Sequence, residues 1–191
     1  MGFSQTELER FRGRTVPDLV GPGLRLLFVG INPSLWTAAT GAHFARPGNR
    51  FYPALWRAGI TDHLIDASLG MAPQDRTHLL SRGVGITNLV ARATARADEL
   101  TSEELREGAR HLVDFVAEHE PVVVAVAGIT AYRKAFAAPR ARIGRQPEPL
   151  AGAAVWVVPN PSGLNAHETA ETLGDAYRAP AVEAGAVPPA R

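Results

Sequence analysis

The feature that most constrains the fold is a set of three apolar runs of strand length, at residues 24–29, 122–127 and 153–158. Each run is followed by a glycine or a proline, and its apolar residues are consecutive rather than alternating with polar ones. Such runs are typical of strands that are covered on both faces, as in a parallel sheet. A weaker fourth candidate lies at residues 83–88. The chain is therefore predicted to build its core around a parallel sheet.

Segments with helical spacing of apolar residues lie between or after these runs, at residues 49–58, 102–118, 131–137 and 168–177. Thr101 and Glu104 form a predicted capping box at the start of the second segment. Strands that alternate with helices predict βαβ units with right-handed crossovers. The expected fold class is α/β, a three-layer sandwich with a short, mainly parallel central sheet. Ligands in such folds bind at the carboxyl ends of the strands, so the loops after Val29 and Val158 are the candidate sites.

The 191 residues fit one domain with a flanking segment at each end. Residues 1–22 are predicted to form an N-terminal helix, at residues 6–12, and a linker that contains proline and glycine. Residues 23–178 form the predicted domain. Residues 179–191 are rich in alanine, proline and glycine without periodicity, and we expect them to form a flexible tail.

Composition excludes several classes of function. The net charge is +1, so any surface that binds anions must be local. The chain has no cysteine, which excludes disulfides, thiolate catalysis and cysteine-ligated metals. Its six histidines lack the spacing of metal ligands, and we expect neither a metal nor a cofactor. No apolar run approaches the roughly 18 residues of a membrane span, and the first residues do not resemble a signal peptide. We therefore predict a cytoplasmic protein without membrane contact.

The loop after the first strand begins with Asn32, so an amide lies at the strand tip. A carboxamide offers donors and an acceptor, and it can hold a water and a substrate group together. The residues that follow have no predicted secondary structure, and long loops in compact domains are usually functional or disordered. The alternative is an ordinary Asn-Pro turn, with Phe44 and Phe51 in the core.

The loop after the last strand, at residues 158–167, is stiffened by two prolines and carries Leu164 at its tip. An apolar side chain on a rigid polar loop suits insertion elsewhere, for instance between stacked bases. The alternative is that Leu164 folds back as a local core anchor.

Four segments occur in an order that resembles a known family: GINP at residues 30–33, the stretch 41–51, GITNLV at residues 85–90 and PNPSGL at residues 159–164. This set is similar to the mismatch-specific uracil/thymine DNA glycosylases, a branch of the uracil-DNA glycosylase superfamily, from about residue 22 to 177. The resemblance implies a uracil-DNA glycosylase-like fold. It also implies hydrolysis of the N-glycosidic bond of uracil or thymine mispaired with guanine in double-stranded DNA, after base flipping. An abasic site is left, and no cofactor is needed.

The resemblance also implies roles for residues of the pocket. Asn32 would be the catalytic residue and hold the attacking water, while Phe44 would stack on the flipped base. Backbone N–H groups near Ile31 and Phe44 would stabilise the departing pyrimidine anion. His43 would line the pocket and Asn88 would support it, although an exposed loop histidine is an equally good interpretation of His43.

The second loop would contact DNA. By the resemblance, Leu164 fills the space that the extruded base leaves, and its neighbours contact the opposite strand and phosphates: Asn160, Pro161, Ser162, Gly163 and Asn165. Arg46 and Arg50, in the first loop, are expected to contact the DNA backbone. The basic stretch 133–145 either contacts phosphate or is a solvated loop. This chain departs from the bacterial pattern in having no arginine shortly after Leu164, and in having Ser34 where glycine is usual.

Three functions follow from these patterns. The first is the mismatch-directed glycosylase, acting as a monomer. The second is a broader glycosylase for deaminated bases that also acts on single strands or on hypoxanthine-like bases. The third is a catalytically silent α/β module that binds nucleotides or DNA, although the chain has no glycine-rich phosphate-binding motif.

Overall fold

The computed structural model describes residues 2–189. Its helices and strands, in chain order, are α1 (Gln5–Glu9), β1 (Leu26–Gly30), α2 (Leu35–Thr40), α3 (Phe51–Arg57), α4 (Pro73–Ser81), β2 (Val84–Asn88), α5 (Ser102–His119), β3 (Val123–Ala127), α6 (Ile129–Ala135), β4 (Gly144–Arg145), β5 (Ala154–Val158) and α7 (Ala170–Glu183). None of the helices in this range is long and apolar enough to cross a membrane.

The sheet has the strand order β2-β1-β3-β5-β4. Strands β1, β2, β3 and β5 run parallel to one another, and the short β4 pairs antiparallel with β5 at one edge. All four predicted strands are present, and the predicted α/β class with a mainly parallel sheet is confirmed.

The core is divided by the sheet into two apolar clusters, which makes the fold a three-layer sandwich. Along β1, Leu26 and Phe28 pack into the cluster that contains residues of α3 and α7. Leu27 and Val29 pack into the other, with residues of α5 and α6. Successive strand side chains point to opposite faces, so a strand covered on both sides must be apolar at every position. This is why the run in the sequence is continuous.

Two helices were not predicted. Helix α2 occupies part of the segment that we expected to lack secondary structure; Ser34 caps its start by accepting from the backbone N–H of Thr37, and Gly41 ends it with a φ of 68°. Helix α4 begins at Pro73, a position where proline is favoured. Both helices bury few side chains, so their sequences lack the strong apolar periodicity of α5.

The flanking segments are part of the packed domain. Leu19 is buried and exchanges two backbone hydrogen bonds with Ile86, which adds a short bridge beside β2. Helix α7 continues through Pro180 to Glu183, and Ala184 and Val187 are buried. The prediction of a flexible tail at residues 179–191 is therefore wrong for residues 179–187, because their small apolar side chains cover the core beside α7. The last residues of the predicted tail, 190–191, lie outside the described range.

Candidate active site

A pocket of about 920 Å³ opens at the carboxyl ends of the parallel strands. Its lining includes residues at or just beyond the ends of four strands, as follows: Gly30, Ile31 and Asn32 from β1, Asn88 from β2, Ala127 from β3 and Asn160 from β5. Residues His43, Phe44 and Arg46 from the first loop and Leu164 from the second line it as well. The structure therefore brings together the two loops that the sequence singled out.

The amide of Asn32 has a fixed orientation. Its Nδ2 lies 3.0 Å from the carbonyl oxygen of Arg92 and 2.8 Å from Oγ1 of Thr94. Thr94 donates its own proton to the carbonyl of Arg96, so its oxygen can only accept from Asn32. Both neighbours of Nδ2 are thus acceptors, which leaves the Oδ1 atom of Asn32 for the pocket. That atom can accept a hydrogen bond from a water.

Asn88 is oriented by His43, which is buried rather than exposed in its loop. The Nε2 atom of His43 lies 3.0 Å from the carbonyl of Pro17, so this nitrogen carries the proton. Nδ1 of the neutral ring then accepts from Nδ2 of Asn88, at 3.1 Å. Burial lowers the pKa of His43 and so favours this neutral form.

Phe44 lies on one wall of the pocket and is not a core residue. It packs against the buried Phe51 with ring centroids 4.0 Å apart and planes inclined by 21°. Its φ is 55°, an unfavourable value for a bulky residue and one that persists only where surroundings enforce it. A Cβ at Gly30 would collide with Oδ1 of Asn88 and approach the Phe44 ring to 3.2 Å. Glycine at this position therefore keeps the pocket open beneath both side chains.

The backbone N–H groups of Ile31 and Phe44 have no acceptor within residues 2–189. Both residues line the pocket. Unpaired N–H groups at such a site can stabilise negative charge on a bound group.

The second loop is shaped by hydrogen bonds between its own residues. The Oδ1 atom of Asn160 accepts from the N–H of Ser162 at 2.9 Å, and Asn165 donates to the carbonyl oxygens of Ser162 and Asn160. Leu164 is 77% exposed, so the alternative of a local core anchor is wrong. An isolated, exposed leucine on a rigid loop at the pocket rim is available to contact another molecule.

The two arginines of the first loop differ. Arg46 is exposed and lines the pocket, as expected for a residue that contacts phosphate. Arg50 is half-buried, and its Nη1 donates to the carbonyls of Ser162 and Asn165. These bonds join the first loop to the second, and the contact of Arg50 with the DNA backbone stays a prediction. In the basic stretch, Arg133 and Arg145 are already bound to Ala141 and Glu183.

Sequence reasoning missed part of the pocket wall, which comes from α1 and from residues near the start of α2 and in segment 94–98. Phe3 meets Trp36 edge to face at 5.0 Å, and this contact helps to seat α1 beside the pocket. Glu9 and Asp98 also line this side, and each forms an ion pair with an arginine, Glu9 with Arg12 and Asp98 with Arg96. No motif pointed to these residues, because the contact joins segments with no distinctive local pattern.

Three side chains whose sequence spacing is not typical of metal ligands come together in space. Ligand atoms of Asp62, His63 and His78 lie within 4.8 Å of one another, and none of these residues lines the pocket. The two ring nitrogens of His63 contact Asp62 at 2.6 Å and Asp75 at 2.7 Å, and these carboxylates raise its pKa. The cluster is explained as an ion-pair network on the surface.

Comparison with known proteins identifies the family of this chain. The family model described as the uracil DNA glycosylase superfamily matches residues 17–184. A solution NMR structure of a candidate uracil DNA glycosylase from Methanosarcina acetivorans has a similar fold, with a TM-score of 0.59 and 16% sequence identity, and the match covers 91% of this chain and 98% of that chain. The resemblance inferred from the motifs is confirmed at the level of the superfamily. Because the family model spans most of its length, this chain belongs to the uracil DNA glycosylase superfamily.

Proposed function

We propose that this chain is a monofunctional DNA glycosylase that hydrolyses the N-glycosidic bond of uracil mispaired with guanine in double-stranded DNA, with thymine as a second substrate base. The observation that carries the proposal is the fixed amide of Asn88 at the pocket. Because Nδ1 of His43 accepts from its Nδ2, the amide keeps one further N–H and its Oδ1 atom for a bound base.

This pair of groups is complementary to uracil. The edge of uracil has O4, which accepts, beside N3–H, which donates, and the amide of Asn88 supplies the matching donor and acceptor. Cytosine has an amino group and a bare N3 at the same positions, so it would oppose donor to donor and acceptor to acceptor. Sites built on such pairing reject the mismatched analogue strongly, because their polar groups are left unpaired.

The reaction would be dissociative. The bond between C1′ and the pyrimidine nitrogen breaks, and its electron pair stays on the base as an anion. The free N–H groups of Ile31 and Phe44 would stabilise that charge, and the Phe44 ring would stack on the base. A water held by Oδ1 of Asn32 then attacks C1′ and loses its proton to solvent. An amide is no general base, so catalysis rests on placement and electrostatics.

The preference for a mismatch would come from the duplex. A wobble pair opens at lower cost than a regular pair, and the enzyme must extrude the nucleotide to reach its bond. The exposed Leu164 would fill the gap in the stack. We also propose that the protein acts as a monomer in the cytoplasm, on the DNA of the nucleoid.

A panel of labelled substrates tests the proposal. Duplexes that contain G·U, G·T or A·U, and single strands that contain U, are incubated with protein and then treated with alkali. We expect cleavage at G·U first, then G·T, with A·U and single strands slower. Equal cleavage of G·U, A·U and single strands would support the broader glycosylase instead. If folded protein binds these strands and cleaves none, the chain is the silent binding module.

A further inference from the structure

We infer that Arg50 is a positioning residue that ties the Leu164 loop to the base pocket, so that insertion into DNA and base capture act as one unit. The inference rests on the proposed function, because it assigns Leu164 to the duplex. It concerns the contacts between the two loops, which none of the sequence motifs indicated.

Arg50 reaches the second loop through three hydrogen bonds. Its backbone N–H donates to the carbonyl of Pro161 at 2.9 Å. Its Nη1 donates to the carbonyls of Ser162 at 3.2 Å and Asn165 at 3.0 Å. The last two carbonyls stand on either side of Leu164 in the chain, so one guanidinium holds both ends of the loop tip.

A close backbone contact adds to this tie. A Cβ at Gly163 would lie 2.6 Å from the carbonyl oxygen of Gly48, so only glycine allows the tip to rest on the first loop. Gly48 and Arg50 thus contact the tip from the same short segment. Phe51, the next residue, carries the ring on which Phe44 packs. The Phe44 ring on the pocket wall and the tip of the second loop are therefore joined through neighbouring residues of the first loop.

No apolar packing fixes Leu164, which is 77% exposed. At the start of the loop, the hydroxyl of Tyr177 donates to the carbonyl of Pro159. The other side-chain bonds nearer the tip run within the loop, from Ser162 and Asn165 to Asn160 and from Leu164 to Ser162. Those bonds shape the tip, and within residues 2–189 it is attached to the pocket by Arg50 and by the Gly48 contact. Lysine could not replace the arginine, because both bonds come from Nη1 and the ammonium of a lysine ends one bond short of that position.

A double-mutant cycle on G·U duplex under single-turnover conditions tests this inference. Arg50→Met keeps an unbranched, apolar stem and removes the guanidinium with its donors. We expect it to slow the wild-type protein about tenfold, and to slow the Leu164→Ala protein by less than about twofold, because residues that act through one another are not additive. The same slowing in both backgrounds would overturn the inference. Arg110→Met, on the exposed side of α5, is the matched control for loss of an arginine.

Arg50→Lys separates bracing from charge. We expect the lysine variant to remain slow, because it keeps the charge but its shorter side chain does not reach the carbonyls of Ser162 and Asn165. Recovery of the wild-type rate would show instead that Arg50 acts as a positive charge toward phosphate, and would overturn the inference.

Hydrogen exchange provides a readout that does not depend on activity. The N–H of Asn165 is bonded to the carbonyl of Ser162, which Arg50 holds. We expect Arg50→Met to speed exchange in segment 160–167, without change in strands β1 and β3. Unchanged exchange in segment 160–167 would contradict the inference that Arg50 holds the loop. If the wild-type protein cleaves no substrate, the proposed function fails, and the exchange result still decides whether Arg50 holds the loop.

Discussion

The two loops at the pocket are built in opposite ways. In the loop after β1, the functional side chains themselves are fixed: Asn32 through Arg92 and Thr94, and His43 through both ring nitrogens. In the loop after β5, the side chains of Asn160 and Asn165 fix the backbone, and the side chain of Leu164 is left exposed. Groups that stabilise a transition state gain from being in place beforehand. A side chain that enters DNA needs a firm base and finds its partners only in the duplex.

The largest effect expected from this contrast is at Asn32. Asn32→Ala removes the only group assigned to the water, and we expect cleavage of G·U duplex to fall by about 10³-fold or more, comparable to loss of a key oxyanion donor. DNA binding and the melting temperature should stay close to wild type, since the amide is at a pocket surface. Single-turnover rates and a binding titration measure both. A loss of less than tenfold would remove Asn32 from the catalytic role.

The next effect tests whether the fixed orientation of Asn32 matters. Thr94→Val keeps the shape of the buried side chain and removes the oxygen that accepts from Nδ2. We expect a slower chemical step, by about 10²-fold or less, with little change in DNA affinity, because misplacement of a catalytic group costs rate. Thr61→Val, at a buried threonine that does not line the pocket, is the control for the loss of a hydroxyl. Equal rates in the wild type and Thr94→Val would show that this bond does not position the amide.

Leu164→Ala tests the other side of the comparison and should have a smaller effect. The variant loses the side chain that fills the stack, so we expect duplex cleavage to slow by about tenfold, with single strands affected less. The melting temperature should not change, because the side chain is 77% exposed and such substitutions alter stability little. An equal loss on duplex and single strands would contradict the assignment of Leu164 to the stack.

The smallest effect concerns pH. Burial holds the pKa of His43 below its ordinary value, which is about 6.5. Between the two values the unfolded chain binds more protons than the folded one, so stability falls as pH drops below about 6.5. Protonated His43 would also present a donor to Nδ2 of Asn88 and disturb the base-reading amide. Melting curves and G·U cleavage from pH 8 to 5 should show both declines in the wild type, and His43→Leu should show a weaker pH dependence of stability. The same pH dependence of stability in His43→Leu would contradict this account.

The sequence predicted the parts that local pattern determines. The strands β1, β3 and β5 are continuous apolar runs, and α5 has both a capping box and strong periodicity, so their bounds are close to those observed. The end of α7 was missed, because alanine and proline give no periodic signal and Pro180 is unusual within a helix.

The hydrogen bonds that hold the site residues in place were not predictable from the sequence in the same way. Thr94 is 62 residues from Asn32, and Asn165 is 115 residues from Arg50, and each pair meets only because the sheet brings strand ends together. A motif shows that Asn32 and Arg50 are present, but it does not show what their side chains touch. The left-handed backbone of Phe44, whose ring packs on Phe51, is likewise not indicated by any local pattern.

The most direct test of the central claim is detection of the released base. G·U duplex is incubated with the protein, and the products are separated before and after alkali and analysed by mass spectrometry. We predict that free uracil appears, that the strand stays intact until alkali is added, and that cytosine is not released from a matched G·C duplex. Folded protein that binds the duplex without releasing uracil, or that releases cytosine as fast as uracil, would contradict the account.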